Sequence, residues 1–510
     1  MAFILQYRHL RRFVKGQLEA AGDPSEESVE IASKEADRYT RIPGISLQLD
    51  HAGQEYFQVD WATPSDPFCP QQWSTTRRVF ATLSVCLIAL VTTMASSIDA
   101  AVMVEAAAEF GVSEVTESLA TGLYLVGFGL GALIASPLSE MIALAPNIGA
   151  QLTFRFLAGL VGSAPLTVAG GSISDIWNTL EKTFGFPVFA IPGFGGPILG
   201  PVVGAYIGYS PHISWRWSEW TMLIFDGLVI AIVFLAKRET FGPQLLFYKA
   251  RFFRQETGDL RFKTKDEASG DEAILPVLKK HFSRPWILLM EPIVIAFTFY
   301  LTVVYIVLFT FLDGYPFIFG DTYGINNGLV NICFVGLLIG IILAMFMVPV
   351  VYHITGNQLK HDGDDGSGRM LKQELRLLFA FCGAPLLPIG LFWMGWTAYP
   401  TISIWSPLAA TILIGFGIIS IFLSAYMYTI DSYGQYAASA LTFIALVRYL
   451  AAGGMTVVGI PMYHNLGMHW TLTVLGIIST LAVPIPYALY KCGHLLRKRS
   501  KWAVDRGCRG

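Results

Sequence analysis

Apolar residues run along this chain in long windows separated by short polar stretches. The windows fall near residues 80–104, 118–137, 151–173, 184–207, 220–236, 286–311, 328–351, 377–399, 402–428, 435–463 and 468–490. Each is about 20 residues long, enough for a helix to cross roughly 30 Å of hydrocarbon. Eleven membrane-spanning helices are therefore predicted, and the fold class is an all-α polytopic membrane protein. Gly and Pro inside the windows are tolerable in a helical bundle, because neighbouring helices re-satisfy freed backbone groups. Soluble-looking sequence is left only at the two ends, in 237–285 and in 352–376. The 352–376 stretch contains His-Asp-Gly-Asp-Asp-Gly-Ser-Gly at 361–368, which reads as a solvated linker, since the EF-hand spacing and its closing Glu are missing. The opening Met-Ala-Phe-Ile-Leu is too short for a signal-peptide core and is followed by Arg8, Arg11 and Arg12.

Composition agrees. Of 510 residues, 54% are apolar and 14% are charged, against roughly 25% charged in soluble domains. A water-soluble chain of this size has too few polar groups here to cover its surface. A formal net charge of −2 excludes a dominant nucleic-acid footprint. The six cysteines (69, 86, 333, 382, 492 and 508) form no CxxC and no metal spacing. Cys86, Cys333 and Cys382 lie inside apolar runs, where a free thiol behaves as a small hydrophobe. No GxxxxGK[ST] loop exists to cradle phosphates, and no HExxH is present. An ATP-driven pump and a membrane metalloenzyme are thus disfavoured; no enzymatic activity, cofactor or metal is expected.

Loop charges orient the spans. Residues 237–285 carry eleven Lys and Arg, 352–376 adds Lys360, Arg369, Lys372 and Arg376, and the C-terminal end has Lys491, Arg497, Lys498, Arg499 and Lys501. By contrast, 105–117 holds only acids and 312–327 has no Lys or Arg. The expected organisation is a disordered cytoplasmic tail (1–78), an N-terminal helical bundle (79–236), a cytoplasmic central loop (237–285), a C-terminal six-helix bundle (286–491) and a cytoplasmic tail (492–510). Parity objects, because five spans before residue 237 place the basic loop outside. One crossing is missing, and 138–150 is too short to supply it. Twelve ancestral spans, six plus six around a long basic loop with the third deleted, restore parity; spans are numbered on that plan.

Several stretches carry a resemblance. The fifth span reads Gly196-Pro197-Ile-Leu-Gly200-Pro201-Val-Val-Gly204. Small residues at four-residue spacing give a helix one smooth face for close packing, and the prolines favour a bend. The fourth span contains Arg155, Gly159 and Gly162, followed by Ser163. Val59-Asp60-Trp61, Asp66-Pro67 and Trp73-Ser74 precede the first span, and Glu239-Thr240 through Lys249-Ala250 and Glu256-Thr257-Gly258 fill the central loop. Arg284-Pro285 with Glu291-Pro292 opens the seventh span; Asp431-Ser432-Tyr433 looks like the start of the eleventh, before Arg448. Together these resemble the major facilitator superfamily, in its fungal twelve-spanner drug:proton antiporter branch (polyamine, azole and mycotoxin exporters), over about 60–495. The GPxxGPxxG stretch resembles that branch's antiporter motif, and the Arg155 stretch its RxxxGxxGS motif. One departure matters: Pro137-Leu-Ser-Glu140 is followed by Met-Ile-Ala-Leu-Ala-Pro146-Asn147. The basic half of the family's PLSExxGRxP motif and the whole third span are absent, at the position that parity singles out.

Five formal charges fall inside the windows: Asp99, Arg155, Asp226, Glu291 and Arg448. Intramembrane ionisable groups are functional candidates by default. Arg155 either snorkels to an interface or is a buried cation in coupling. Asp99 is an interfacial carboxylate or a proton site near the outer end of the first span. Asp226 is central in the sixth span. Glu291, about one turn into the seventh, is a gate, a partner of Arg284 or a proton site. Arg448 pairs with a carboxylate or an anionic substrate group. Tyr124, Phe128, Phe299, Tyr300, Tyr305, Trp393 and Trp396 are candidate cavity aromatics. The resemblance implies a monomeric secondary transporter, at the plasma membrane or the vacuolar one. It would export amphipathic or cationic small molecules in exchange for protons by alternating access. Two alternatives stand beside it: an uptake facilitator of the same fold, and a non-transporting membrane protein that has lost a span.

Overall fold

The computed structural model describes residues 2–21, 38–49, 53–62, 66–131, 147–178, 180–208, 210, 213–236, 238–268, 287–364 and 373–503. Each of the eleven windows contains a helix. The first window is α2 (Thr75–Ala95), then a 3-10 turn at Ile98–Ala101 and the short α3 (Met103–Phe110). The next four are α4 (Glu114–Gly131), α5 (Ile148–Ile176), α6 (Lys182–Gly208) and α7 (Trp217–Ala236). After the central α8 (Gly242–Thr257) come α9 (Pro292–Tyr315), the broken run α10 (Asn327–Ile332), α11 (Val335–Ala344) and α12 (Met347–Asp364), then α13 (Leu378–Thr397) and α14 (Trp405–Tyr433). The last two windows lie in α15 (Ala437–Ala482) and α16 (Pro484–Arg499); Gly467, with φ +75°, breaks α15 between them. Among the described residues, eight stretches are long and apolar enough to cross a membrane, the Ala437–Arg499 stretch holding two windows. Residues 138–146 of the junction, Arg284-Pro285 and residues 365–368 of the linker lie outside the described residues; α12 runs on to Asp364, further than the expected end of the span.

The chain divides into two compact units. The first comprises Met1–Ser84, Ser172–Asn178 and Val229–Lys280. Here the expected disordered tail is corrected. Its described residues form α1 (Ala2–Ala20) and the strands β1 (Ile45–Leu49) and β2 (Glu55–Val59), with β3 (Phe262–Lys263) supplied by the central loop. β1 and β2 pair antiparallel, with Leu47 opposite Phe57, and β3 adds in parallel with Phe262 beside Phe57. Val14, Tyr39, Ile42, Ile45, Phe57 and Val59 from the tail close a core with Ala250, Phe253 and Phe262 of the loop. These apolar groups are scattered along a polar sequence and gain a core only when two segments nearly 200 residues apart meet. The tail and loop signatures read separately in the sequence are thus one structure. Lys249 Nζ lies 2.8 Å from Asp66 Oδ2 and donates to the Asp60 carbonyl at 3.1 Å, with both charged side chains buried. Arg11 pairs with Glu256 at 2.8 Å at the surface.

The second unit, Val85–Gly171, Thr179–Leu228 and His281–Gly510, is the helical bundle. Its largest contacts are α13 with α14, α9 with α15, α4 with α15, and α11 with α14. Glycines set the spacing. A Cβ on Gly453 of α15 would lie 2.6 Å from the Gly122 carbonyl of α4, and one on Gly122 2.8 Å from the Gly453 carbonyl. Small residues substitute for side-chain interdigitation where lipid supplies no hydrophobic drive between helices.

Removing one partner of a buried ion pair costs about 3–5 kcal/mol. Lys249→Met is therefore expected to loosen the first unit, read as faster protease cleavage and hydrogen exchange over 38–62 than in the wild type. The surface change Arg11→Ala is expected to have almost no effect in the same assay.

Candidate functional site

The GPxxGPxxG stretch lies within α6 and packs against the end of α2 and the turn that follows it. A Cβ on Gly200 would sit 2.8 Å from the Met94 carbonyl, and one on Gly204 2.5 Å from that of Ile98; one on Gly196 would strike Thr93 Oγ1. All three glycines face one helix, as a four-residue spacing requires. Pro197 and Pro201 lie inside α6, where they remove backbone donors. In α5, Gly159 makes a similar approach to α4, where a Cβ would meet the Tyr124 carbonyl and lie 3.0 Å from the Phe128 nitrogen. Gly162 faces the Tyr124 hydroxyl.

Arg155 is fully buried rather than snorkelling. Its guanidinium forms ion pairs with both Asp99 and Glu219, and Nη1 donates to the Ala95 carbonyl at 2.8 Å. Three elements build this site. α2 stops at Ala95, and the Ser96-Ser97 turn leads into the 3-10 turn that carries Asp99. A helix end leaves carbonyls without intrahelical partners, and Arg155 takes one of them. Glu219 sits in the first turn of α7, where the helix dipole favours an acid. One turn before Arg155 on α5, Gln151 Nε2 donates to Glu117 Oε1 at 2.8 Å, and both side chains are buried. Tyr124 presents its ring 5.9 Å from the guanidinium. At the outer edge, Arg216 pairs with Glu109, and that bond holds the Glu109 carboxyl below its ordinary range.

A small central cavity adjoins this site. Thr93 and Ser96 of α2, Phe128 of α4, Phe194 and Pro197 of α6, Tyr305 of α9 and Tyr449 of α15 line it. Its volume of about 10 Å³ is at the lower limit for one water molecule, so the walls must part before a substrate enters. Arg448 of α15 lies behind Tyr305 and Tyr449, with its Cζ 4.4 and 4.9 Å from their ring centroids; Tyr426 and Phe422 of α14 stand at 5.2 and 5.6 Å. Of the candidate aromatics, Phe128 and Tyr305 line the cavity. Tyr124 serves Arg155, Tyr300 is buried, and Phe299, Trp393 and Trp396 are exposed on the bundle.

The remaining candidates form no ion pair with Arg155 among the described residues. Asp226 lies on the face of α7 that buries Met222 and Val229, close enough to Tyr124 to act on it electrostatically, and has no ion pair among the described residues. Glu291 is not inside a span: it occupies the N-cap position of α9, where the Tyr433 hydroxyl lies 3.4 Å from its Oε2. Asp431-Ser432-Tyr433 is corrected as well, since it forms the last turn of α14, before the chain breaks at Gly434, and does not start the next helix. Asp431 is the partner of Arg376, at 2.7 Å from Nε, while Arg376 Nη1 donates to Thr183 of α6. Arg376 looked like one more basic loop residue; it is buried. Glu219 fell just before a window, and Asp313 just beyond the 286–311 one. Asp313 is buried in α9, and its Oδ2 has no hydrogen-bond partner among the described residues. The signal that locates it is the apolar sequence continuing past it through Phe317, Ile318 and Phe319.

A bundle of apolar helices closed around a buried ion cluster and a central cavity is the architecture of a membrane transporter. The family model of the Major Facilitator Superfamily matches residues 141–456. The MFS-type transporter kojT of Aspergillus flavus is 48% identical over 90% of this chain and 86% of its own length. The MFS-type efflux pump MFS2 of Trichophyton rubrum is 33% identical over 91% and 79%. The xylose transporter XylE from E. coli superposes with a TM-score of 0.55 at 13% identity, over 82% of this chain and 98% of its own. The chain belongs to the Major Facilitator Superfamily and is a multi-pass membrane transporter.

Close packing at the motif yields a contrast of sign. Gly200→Ala is expected to destabilise by about 1–3 kcal/mol through overpacking and to depress transport. Gly454→Ala, where a Cβ meets nothing within 4 Å, is expected to be neutral or stabilising. Thermal unfolding in detergent, followed by transport assays, reads both.

Proposed function

We propose that this transporter exports an amphipathic small molecule in exchange for protons, as a monomer in the plasma membrane, and belongs to the fungal twelve-spanner drug:proton antiporter branch. The single observation that carries the reading is Arg155 held between two buried carboxylates. One guanidinium neutralises one of them, and buried Glu117 adds a third carboxyl nearby, so the site holds more acidic groups than Arg155 can balance and a proton or a cation must cancel the excess in a low-dielectric interior. Asp99 belongs to the interrupted first span, whose Thr93 and Ser96 line the cavity. A change in the cavity and a change in protonation therefore act on the same broken segment, which is what exchange by alternating access requires. The α6 glycine face against α2 supports the export direction through its likeness to the antiporter motif. The printed name of the Trichophyton rubrum relative is also that of an efflux pump. Of the substrate classes considered from the sequence, cationic molecules are not retained: among the described residues no acidic side chain lines the cavity, and Arg448 stands against its aromatic wall.

The missing-span reading stays part of the proposal. The alignment to kojT runs over 488 positions but takes up 90% of this 510-residue chain, about 459 residues, which leaves about 29 positions occupied in the relative alone. That number is close to one span with its turn. The family match also begins at residue 141, directly after Pro137-Leu-Ser-Glu140. This observation favours the second reading, a chain that folds without transporting.

Two measurements test these statements. In cells lacking their own exporters, the wild type is expected to lower retention of a labelled amphipathic drug only while a proton gradient exists. Asp99→Asn and Arg155→Gln are each expected to abolish that gradient dependence. Retention equal to an empty control in the wild type would favour the non-transporting reading. Sequencing the transcript is expected to reveal an in-frame segment of roughly 25 residues between Glu140 and Ala145; a transcript that agrees with the present chain refutes a gene-model error.

A further inference from the structure

The N-terminal helix α1 has one face accounted for and one end that is not. Gln6, Leu10 and Val14, four residues apart, are buried, and Val14 enters the core of the first unit. The first turn, by contrast, leaves Phe3, Ile4 and Leu5 exposed at 47, 48 and 51%. The exposed positions of the following turns carry Arg8, Arg12 and Lys15, and α1 has no acid before Glu19. Apolar side chains followed by basic ones are what a helix presents to a lipid surface.

The place of this turn in the fold points the same way. Gln6 is bonded at both ends of its amide to the backbone of Glu239: Nε2 donates to the carbonyl at 3.2 Å, and Oε1 accepts from the N–H at 2.9 Å. Glu239 lies three residues after Ala236, where the membrane span α7 ends. Three residues reach at most about 10 Å, so the first turn of α1 is held beside the point where that span leaves the hydrocarbon. The last turn of α7 belongs to the same compact unit, and its Phe234 and Leu235 are exposed at 64 and 60%, as side chains that face lipid are. Phe3 meets the ring of Tyr7 at 5.0 Å, and Tyr7 that of Tyr248 in α8 at 4.3 Å. Phe241, the N-cap of α8, is exposed as well. The apolar tip of α1 thus adjoins a surface that is already in lipid.

We propose that the first turn of α1 is an interfacial anchor whose partner is the bilayer itself: Phe3, Ile4 and Leu5 enter it beside the end of α7, and Arg8 and Arg12 meet the headgroups of acidic lipids. A helix of this kind sinks about 5–10 Å into the boundary between headgroups and acyl chains, a depth within the reach from Ala236. Basic side chains at that level gain from the negative potential of an acidic leaflet. The anchor is independent of the substrate and of the direction of transport.

The test uses the full chain in nanodiscs of phosphatidylcholine, with or without phosphatidylserine. The photoreactive residue p-benzoylphenylalanine replaces Ile4 in one protein and Glu19 in another, positions about 22 Å apart along the helix. After irradiation, intact mass is expected to show a lipid adduct from position 4 and little from position 19. Hydrogen exchange over residues 6–10 is expected to be about tenfold slower with phosphatidylserine than without it. Arg8→Gln combined with Arg12→Gln, which alters exposed side chains only, is expected to erase that difference while exchange over 38–62 stays unchanged. Equal lipid adducts at the two positions, an adduct to a second copy of the chain, or exchange indifferent to phosphatidylserine overturns the proposal.

Discussion

Charge neutralisation in a medium that will not solvate charge is the constraint on which this bundle depends. An arginine placed at the centre of a membrane helix is expensive on every insertion scale, so its partners must be brought to it. Arg155 obtains Asp99 from a helix that stops early and Glu219 from the first turn of another, with the freed Ala95 carbonyl as a third ligand. The break in α2 is therefore a condition of the ion site. The same break leaves Thr93 and Ser96 at the wall of the cavity, so the electrostatic and the substrate-facing parts of the site share a few residues of one segment.

Close approach makes the arrangement possible. Asp99 is held by a turn against which Gly200 and Gly204 of α6 rest, and side chains there would push the turn away from Arg155. The glycine motif and the arginine motif, distant in sequence, act on opposite sides of the same short turn. In the other half of the chain the logic repeats with different partners. Arg376 ties the end of α14 to α6 through Asp431 and Thr183, and Arg497 ties the C-terminal α16 to Glu374 and Tyr428. Among the described residues Arg448 has no carboxylate partner and is surrounded by the rings of Tyr305, Phe422, Tyr426 and Tyr449 instead.

The first unit shows a different way of making a domain. Neither the N-terminal segment nor the central loop holds enough apolar residues in one stretch to bury a core. Together they assemble a three-stranded sheet and two helices around Phe57, Phe253 and Phe262, with the buried Lys249–Asp66 pair beside it. Buried ion pairs contribute more to specificity of assembly than to stability in several systems. Here the pair joins the stretch before the first span to the central loop.

What the sequence determined by itself was the class of molecule and the addresses of its motifs. Windows of about 20 apolar residues can only be buried in lipid or in each other, and every one holds a helix. Four-residue spacing of Gly196, Gly200 and Gly204 had to yield a smooth face, and it did. The buried charges Asp99, Arg155 and Arg448 were visible because ionisable residues stand out in apolar runs. Only the tertiary structure decided which charges meet. Glu219, Arg376 and Asp313 lie at window edges, where a residue can face water or the interior with equal ease, and the packing of neighbouring helices chose the interior. Asp226, central in its window, was left by the same packing near Tyr124 and without an ion pair among the described residues. The order in the N-terminal segment was invisible for a related reason: its hydrophobic partner lies about 200 residues further along the chain, and only folding brings the two together.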